Sequence, residues 1–488
     1  LCLHNLLLVL SGRQDNARLQ REKLLRDYPL NATLWWLNWF DGRSESALVQ
    51  WRGLCQGRDV NALMTAGQLI NWGMPALAAD MLNALDCQRT LPLYLQASLL
   101  PKAERGELVV KAIDAFPQFV RFPNTLEEVA ALESIEECWF ARHLLACFYY
   151  NKRSYGKAIA LWQRCVEMSP EFADGWRGLA IHAWNKQHDY ELAARYLDNA
   201  YQLAPQDARL LFERDLLDKL SGVTPEKRLA RLENNLEIAL KRDDMTAELL
   251  NLWHLTGQAD KAADILATRK FHPWEGGEGK VTSQFILNQL LRAWQHLDDR
   301  EPQQASELLH AALHYPENLS EGRLPGQTDN DIWFWQAVCA NAQGDETEAT
   351  CCLRLAATGD RTINIHSYYN DQPVDYLFWQ GMALRLLGEQ HTAQQLFSEM
   401  KQWAKEMAKT SIEADFFAVS QPDLLSLYSD LQQQHKEKCL MVAMLAAAGF
   451  GEVAHYESAR AELMAINPAW PKAALFTTVM PFIFSYVH

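Results

Sequence analysis

Trp176-Arg177-Gly178-Leu179-Ala180 opens a helix that runs to Trp184. Asn185 to Asp189 turns the chain, and Tyr190 to Leu203 brings it back before Pro205 stops it. One unit upstream, Cys138 to Tyr150 is followed by a turn at Asn151–Ser154, a helix through Val166 and a stop at Pro170. The two stops lie 35 residues apart, as do Tyr155 and Tyr190, close to the roughly 34-residue period of tetratricopeptide repeats.

Working outward, a small–large–small signature recurs in what the pattern makes the second helix of each hairpin. It reads Ala158/Trp162/Cys165, Ala193/Leu197/Ala200, Ala305/Leu309/Ala312, Ala349/Leu353/Ala356 and Ala393/Phe397/Met400, and more weakly Ala78/Leu82/Leu85. Residues three and four apart share a helix face. The small residue admits the first helix, the large one fills the groove beside it, and the second small residue admits the next hairpin. Four of these signatures follow a Trp that the pattern places at the opening of the preceding helix: Trp176, Trp294, Trp335 and Trp379. One hairpin cannot bury its own apolar face, so copies must stack. The predicted fold is all-α, a right-handed superhelical solenoid of tetratricopeptide-type hairpins.

Residues 1–135 read as divergent hairpins and 136–268 as tetratricopeptide repeats. A glycine-rich loop follows at 269–282, and further helical repeats fill 283–488 with irregular segments at 360–373 and 415–423. No stretch alternates apolar and polar residues as a half-buried strand does.

The chain has 488 residues, 49% hydrophobic and 22% charged, a composition that folds rather than one that stays disordered. Its net charge of −15 argues against nucleic acid and against an anionic membrane surface, both of which need clustered Lys and Arg. The ten cysteines include no CxxC pair and read as buried, reduced thiols, consistent with a cytoplasmic protein. No secretory leader or membrane span is predicted: residues 1–10 and Ala474–Val487 are apolar but short, and Pro481 interrupts the second. Leu1 already lies inside a helical pattern, so the chain is expected to be part of a longer polypeptide.

The run His272-Pro273-Trp274-Glu275-Gly276-Gly277-Glu278-Gly279-Lys280, together with Asp415-Phe416-Phe417-Ala418-Val419-Ser420-Gln421-Pro422-Asp423, resembles the YphG-like family of large bacterial proteins. In that family a β-rich amino-terminal region similar to galactose mutarotases precedes a tetratricopeptide half. The resemblance covers essentially all of this chain, as that carboxy-terminal half. It implies a cytosolic bacterial protein linked to carbohydrate metabolism, without implying a particular sugar or reaction.

The loop supplies the leading site candidates, His272, Trp274, Glu275, Glu278 and Lys280. A Trp over an apolar sugar face with carboxylates on the hydroxyls can hold a carbohydrate. The same loop could dock a preceding domain of the same polypeptide, or simply reverse the chain. Residues expected to line a groove formed by the first helices are His143, Tyr150, Asn151, Arg177, Trp184, Asn185 and Arg209. His310 and His314 have the i, i+4 spacing of two metal ligands, but no acidic residue follows His310 and no third ligand is evident. The expectation is no metal, no cofactor and no catalytic residue. The chain alone is read as a protein-binding scaffold, with a helical half that completes a sugar site as the alternative. If the irregular segments converge on one face, they favour the shared site; if they disperse, they favour the plain scaffold.

Overall fold

The structure, a computed structural model, describes residues 1–56, 58–86, 88–115, 121–364, 372–413 and 425–487. Among them it is all-α, a succession of antiparallel helical hairpins with no strand. The pair read first from the sequence is present as Trp139–Asn151 and Tyr155–Met168, followed by Ala173–His182 and Tyr190–Leu203.

Local chemistry explains the punctuation. Pro75, Pro225 and Pro302 each stand in the first turn of a helix, where a missing N–H costs nothing. Asp189 and Asp345 cap their helices by accepting the backbone N–H of Leu192 and Glu348. The turns inside the hairpins carry a residue with left-handed backbone. It is glycine at Gly73, Gly257, Gly344, Gly388 and Gly451, while Arg153, His188 and Arg300 take the same role without that freedom.

The small–large–small signature is the packing code it was read to be. Ala158, Trp162 and Cys165 are fully buried, as are the corresponding triplets at 193, 305 and 393. The copy at 349 is looser, with Leu353 only half-buried. A glycine on a neighbouring helix completes the joint. A Cβ on Gly178 would collide with the Trp162 indole, and a Cβ on Gly381 or Gly449 would collide with the Phe397 ring. These rings lie flat on backbone that only glycine leaves bare.

The chain divides into two compact units, Leu1–Gln187 and His188–His488. The boundary falls where Ala173–His182 passes into a π-helical turn, Ala183–Gln187, and His188 turns left-handed.

In the amino-terminal unit the hairpins Cys2–Leu10/Gln14–Asp27, Ala32–Gly42/Glu45–Cys55 and Asp59–Asn71/Pro75–Leu85 follow one another. Thr90–Ser98, Gly106–Asp114 and Leu126–Glu133 lead into Trp139–Asn151. Leu126–Glu133 has no counterpart in the sequence reading. Trp36, Trp51, Tyr94 and Phe140 are fully buried along this core.

In the carboxy-terminal unit the hairpins run from Ala208–Leu220/Pro225–Asn234 to Leu431–Phe450/Val453–Ile466. One more helix follows, Ala473–Val487, with Pro481 inside it. It turns back across the unit and packs on Asp243–Leu255, Lys280–Asp298 and Tyr376–Leu386, each the first helix of a hairpin. Phe476, Val479 and Ile483 are fully buried there, which offsets the backbone hydrogen bond that Pro481 forfeits.

This return gives three tryptophans a shared contact and corrects the placement of one. Trp294 stands near the end of Lys280–Asp298 rather than at its opening. Its indole meets Phe482 at 5.2 Å, Trp335 meets the same ring at 5.9 Å, and Trp379 stacks on Phe476 at 5.9 Å. They form a ladder that receives the last helix.

Candidate functional site

The glycine-rich loop is tied to the body of the carboxy-terminal unit. Arg269 donates two hydrogen bonds to Asp243 Oδ1, at 3.1 and 2.6 Å, and the His272 backbone N–H donates to Asp243 Oδ2 at 3.0 Å. Asn318 donates to the carbonyls of Leu266 and Arg269, and Phe271 N–H donates to Asn318 O. Phe271 is buried. At the far end Glu321 accepts the Gly279 N–H at 3.0 Å and the Thr282 hydroxyl at 3.3 Å.

Within this frame Trp274 folds back on its own loop. Its indole covers Gly277, where a Cβ would collide with it, and it packs half-buried against the local apolar core. Glu275, Glu278 and Lys280 are exposed, and the His272 side chain is mostly exposed beside Asp243. The solenoid edge covers Trp274, as its packing on that core requires.

The residues expected to line a groove divide. Tyr150 is fully buried, packed on Trp162 at 5.4 Å and on Tyr155 at 5.1 Å. Asn185 is buried and donates to the Tyr150 hydroxyl at 3.3 Å. His143 is buried against Phe140 and Phe172. These three belong to the joint between hairpins and not to an open groove, because a first helix turns part of its polar-looking face onto the next hairpin. Arg177 and Trp184 are half-buried and Asn151 is exposed. Arg209 lies in the other unit and pairs with Asp207 at 3.1 Å.

His310 and His314 are exposed, with ring centroids 5.3 Å apart. Among the described residues no three His, Cys, Asp or Glu side chains are placed to hold a metal ion.

The sequence reading missed a cleft of about 720 Å³ in the carboxy-terminal unit, within the size range of small-molecule sites. Ile286, Leu287 and Leu290 give it an aliphatic wall, and Asp331, Asp375, Tyr376 and Lys472 give it a polar floor. Lys472, the residue before the last helix, donates to Asp375 and lies 5.4 Å from the Tyr376 ring. Burial pushes the Asp331 carboxyl up to about 6 against the pull of Lys472. Burial lowers Lys472, but Asp375 and Asp331 outweigh it and hold its ammonium above the ordinary lysine range. Burial, with Asp331 and Asp375 nearby, raises the Tyr376 hydroxyl well above the usual phenol.

Two irregular segments meet here. Gly279 ends the glycine-rich loop, Thr282 stands in the first turn of the helix that follows it, and Gln372 and Pro373 end the 360–373 break. Gln372 also donates to the Asp360 carbonyl at 2.9 Å. His366, Tyr368, Tyr369, Asn370 and Asp371, and the whole 415–423 segment, lie outside the described residues. The floor was illegible because Asp331, Asp375 and Lys472 come from three distant stretches. An Asp at the start of each of two apolar helices was the one available signal.

No protein-family model matches the chain. Among solved structures it is similar to the TPR domain of P58(IPK), at 15% identity and a TM-score of 0.23 over 77% of this chain and 99% of that one. It is also similar to the structure of Naa15/Naa10 bound to HypK-THB, at 12% identity and a TM-score of 0.32 over 79% and 57%. A third is the APC/C hetero-tetramer Cut9-Hcn1, at 12% identity and a TM-score of 0.23 over 97% and 90%. The fold assignment rests on the hairpins themselves. Among the described residues no helix is long and apolar enough to cross a membrane.

Proposed function

We propose that this chain is a protein-interaction and assembly scaffold of tetratricopeptide type, part of a larger bacterial cytoplasmic protein linked to carbohydrate metabolism. One observation carries the scaffold reading. The face made by successive first helices in the carboxy-terminal unit holds an apolar helix, Ala473–Val487, on the Trp294/Trp335/Trp379 ladder. Such a face binds helices in cis, and helix-in-groove docking is a common way to bind them in trans. In the amino-terminal unit the first helices Trp139–Asn151 and Ala173–His182, with Arg177 on the second and Trp184 in the π-helical turn after it, are the candidate face for a partner or a preceding domain. Size-exclusion chromatography of this chain with the separately expressed preceding region tests it. Co-elution that Arg177→Glu/Trp184→Glu abolishes supports the reading, and independent elution of the two pieces overturns it.

A second reading is that this half completes a sugar-binding site for a mutarotase-like domain. The meeting of Gly279 and Thr282 with Gln372 and Pro373 in one cleft favours it. A monosaccharide-binding screen on this chain and on the longer polypeptide distinguishes the two: binding confined to the longer form, and lost on Gln372→Ala, supports the shared site.

A further inference from the structure

The floor of the cleft has an unequal charge balance. Two carboxylates, Asp331 and Asp375, share the single ammonium of Lys472, and Lys472 is bonded to Asp375. The neighbouring Arg323 is paired with Asp329 and contributes no net charge. Tyr315 shares a hydrogen bond with Gln327, and Tyr376 is a neutral phenol. Asp331 is 2% exposed. It accepts the Ile332 N–H at 2.9 Å and a hydrogen bond from Tyr376. Among the described residues it makes no ion pair within 4.0 Å, so the floor keeps one net negative charge beside a cavity, only partly offset by Lys472. Facing it, Ile286, Leu287 and Leu290 line one helix side with hydrocarbon.

We propose that this cleft binds a primary alkylammonium group, its aliphatic stem lying along Ile286, Leu287 and Leu290 and its ammonium meeting the Asp331 carboxylate. A buried charge is costly until it is paired, and an ammonium on a hydrocarbon stem satisfies both the wall and the floor. Burial raises the Asp331 carboxyl, Lys472 pulls it down and Asp375 pushes it up; Tyr376 donates to it, and the Arg323–Asp329 pair and Tyr315 are the other charged and titratable groups nearby. Because the free carboxyl titrates near 6, binding takes place to its ionised form and weakens as pH falls. The scaffold reading rests on the tryptophan ladder and not on this cleft, which the second reading assigns to a sugar; diol binding as tight as the diamine would favour that reading instead.

Isothermal titration of the whole chain with three five-carbon probes tests it: 1,5-diaminopentane, 1,5-pentanediol and glutarate. At pH 7.5 the diamine is expected to bind at least tenfold tighter than the diol, and about tenfold tighter than it does itself at pH 5. Asp331→Asn, nearly isosteric, is expected to weaken the diamine at least tenfold. Ser283 is exposed at the rim, so Ser283→Arg leaves the fold alone while bringing a competing cation to the cleft, and it should weaken the diamine likewise. A titration with acetyl-Gly-Lys-Gly-amide separates the sources: tighter binding than the diamine assigns the cleft to a lysine side chain, weaker binding to a free amine. Diol or glutarate binding as tight as the diamine, no binding by either amine probe, or amine binding unchanged in both variants would overturn the proposal.

Discussion

The joint at residues 139–182 and the layer at 208–255 do the same job with opposite chemistry. In the first, aromatic rings seat on bare backbone: Trp162 lies on Gly178 and Tyr150 packs beside it. In the second, three helices meet through charge. Arg228 is fully buried and donates to both oxygens of Asp215, at 3.0 and 2.6 Å, and to Glu248 at 3.1 Å. Lys219 also pairs with Glu248, while Arg214 and Arg231 converge on Asp218, which accepts the Tyr190 hydroxyl at 3.0 Å. A ring in a glycine socket tolerates few shapes but needs no partner charge. An ion lattice tolerates no missing member, because each leaves another buried and unpaired. The repeat pattern is explicit in the first region and faint in the second for this reason.

The largest test removes a lattice member. Arg228→Ala leaves Asp215 and Glu248 buried without their partner and should cost about 3–5 kcal/mol in urea-unfolding midpoints. Replacing the pair together, Arg228→Met with Asp215→Leu, should recover most of that loss. A double variant as unstable as the single one would show that the lattice is more than mutual compensation.

Overfilling the glycine socket comes next. Gly178→Ala should cost about 1–3 kcal/mol, read as a lowered thermal midpoint, since the Trp162 ring has no room to retreat. Gly381→Ala should behave alike against Phe397. An unchanged midpoint for both would remove the close-contact role assigned to these glycines.

Trp274 on Gly277 is the same ring-on-glycine device outside a helix. It is only half-buried, so Trp274→Ala should cost about 2 kcal/mol, less than a fully buried tryptophan. Loss of monosaccharide binding by the proposed longer polypeptide with no change in this chain's stability would move Trp274 from packing to recognition.

Acid should separate the two regions by the smallest effect, a slope. Burial pushes Glu248 up, but Lys219 and Arg228 outweigh it and hold its carboxyl down at about 2. A carboxyl depressed in the folded state contributes stability fully above its unfolded value of 4.5 and loses it as pH falls toward 2. Hydrogen exchange should therefore rise in 208–255 between pH 4.5 and 2 before it rises in the Trp139–Asn151 and Tyr155–Met168 hairpin. The reverse order would mean the ionic layer is not what acid attacks first.

How much was legible follows from range. Helix identity, the hairpin turns and the Ala158/Trp162/Cys165 code depend on residues three or four apart, so periodicity exposes them. Tyr150 and Asn185 looked like groove residues because the sequence does not say which polar-tipped side chain the next hairpin covers. The loop at 269–280 stood out by composition, yet its anchors, Asp243, Asn318 and Glu321, are far away in sequence and carry no local signature.

The sequence by itself determined an all-α chain of stacked hairpins, since the apolar period and the small-residue slots leave one way to bury the faces. Only the tertiary structure decided where the last helix goes and what stands beside it. Ala473–Val487 reads alone as a short apolar segment broken by Pro481, and it becomes a core element because Trp294, Trp335 and Trp379 present their rings to it. That return brings Lys472 to Asp331 and Asp375, joining charges from three parts of the chain in one buried floor. Burial and pairing depend on positions in space, and those are fixed by the packing of whole helices rather than by any spacing along the chain.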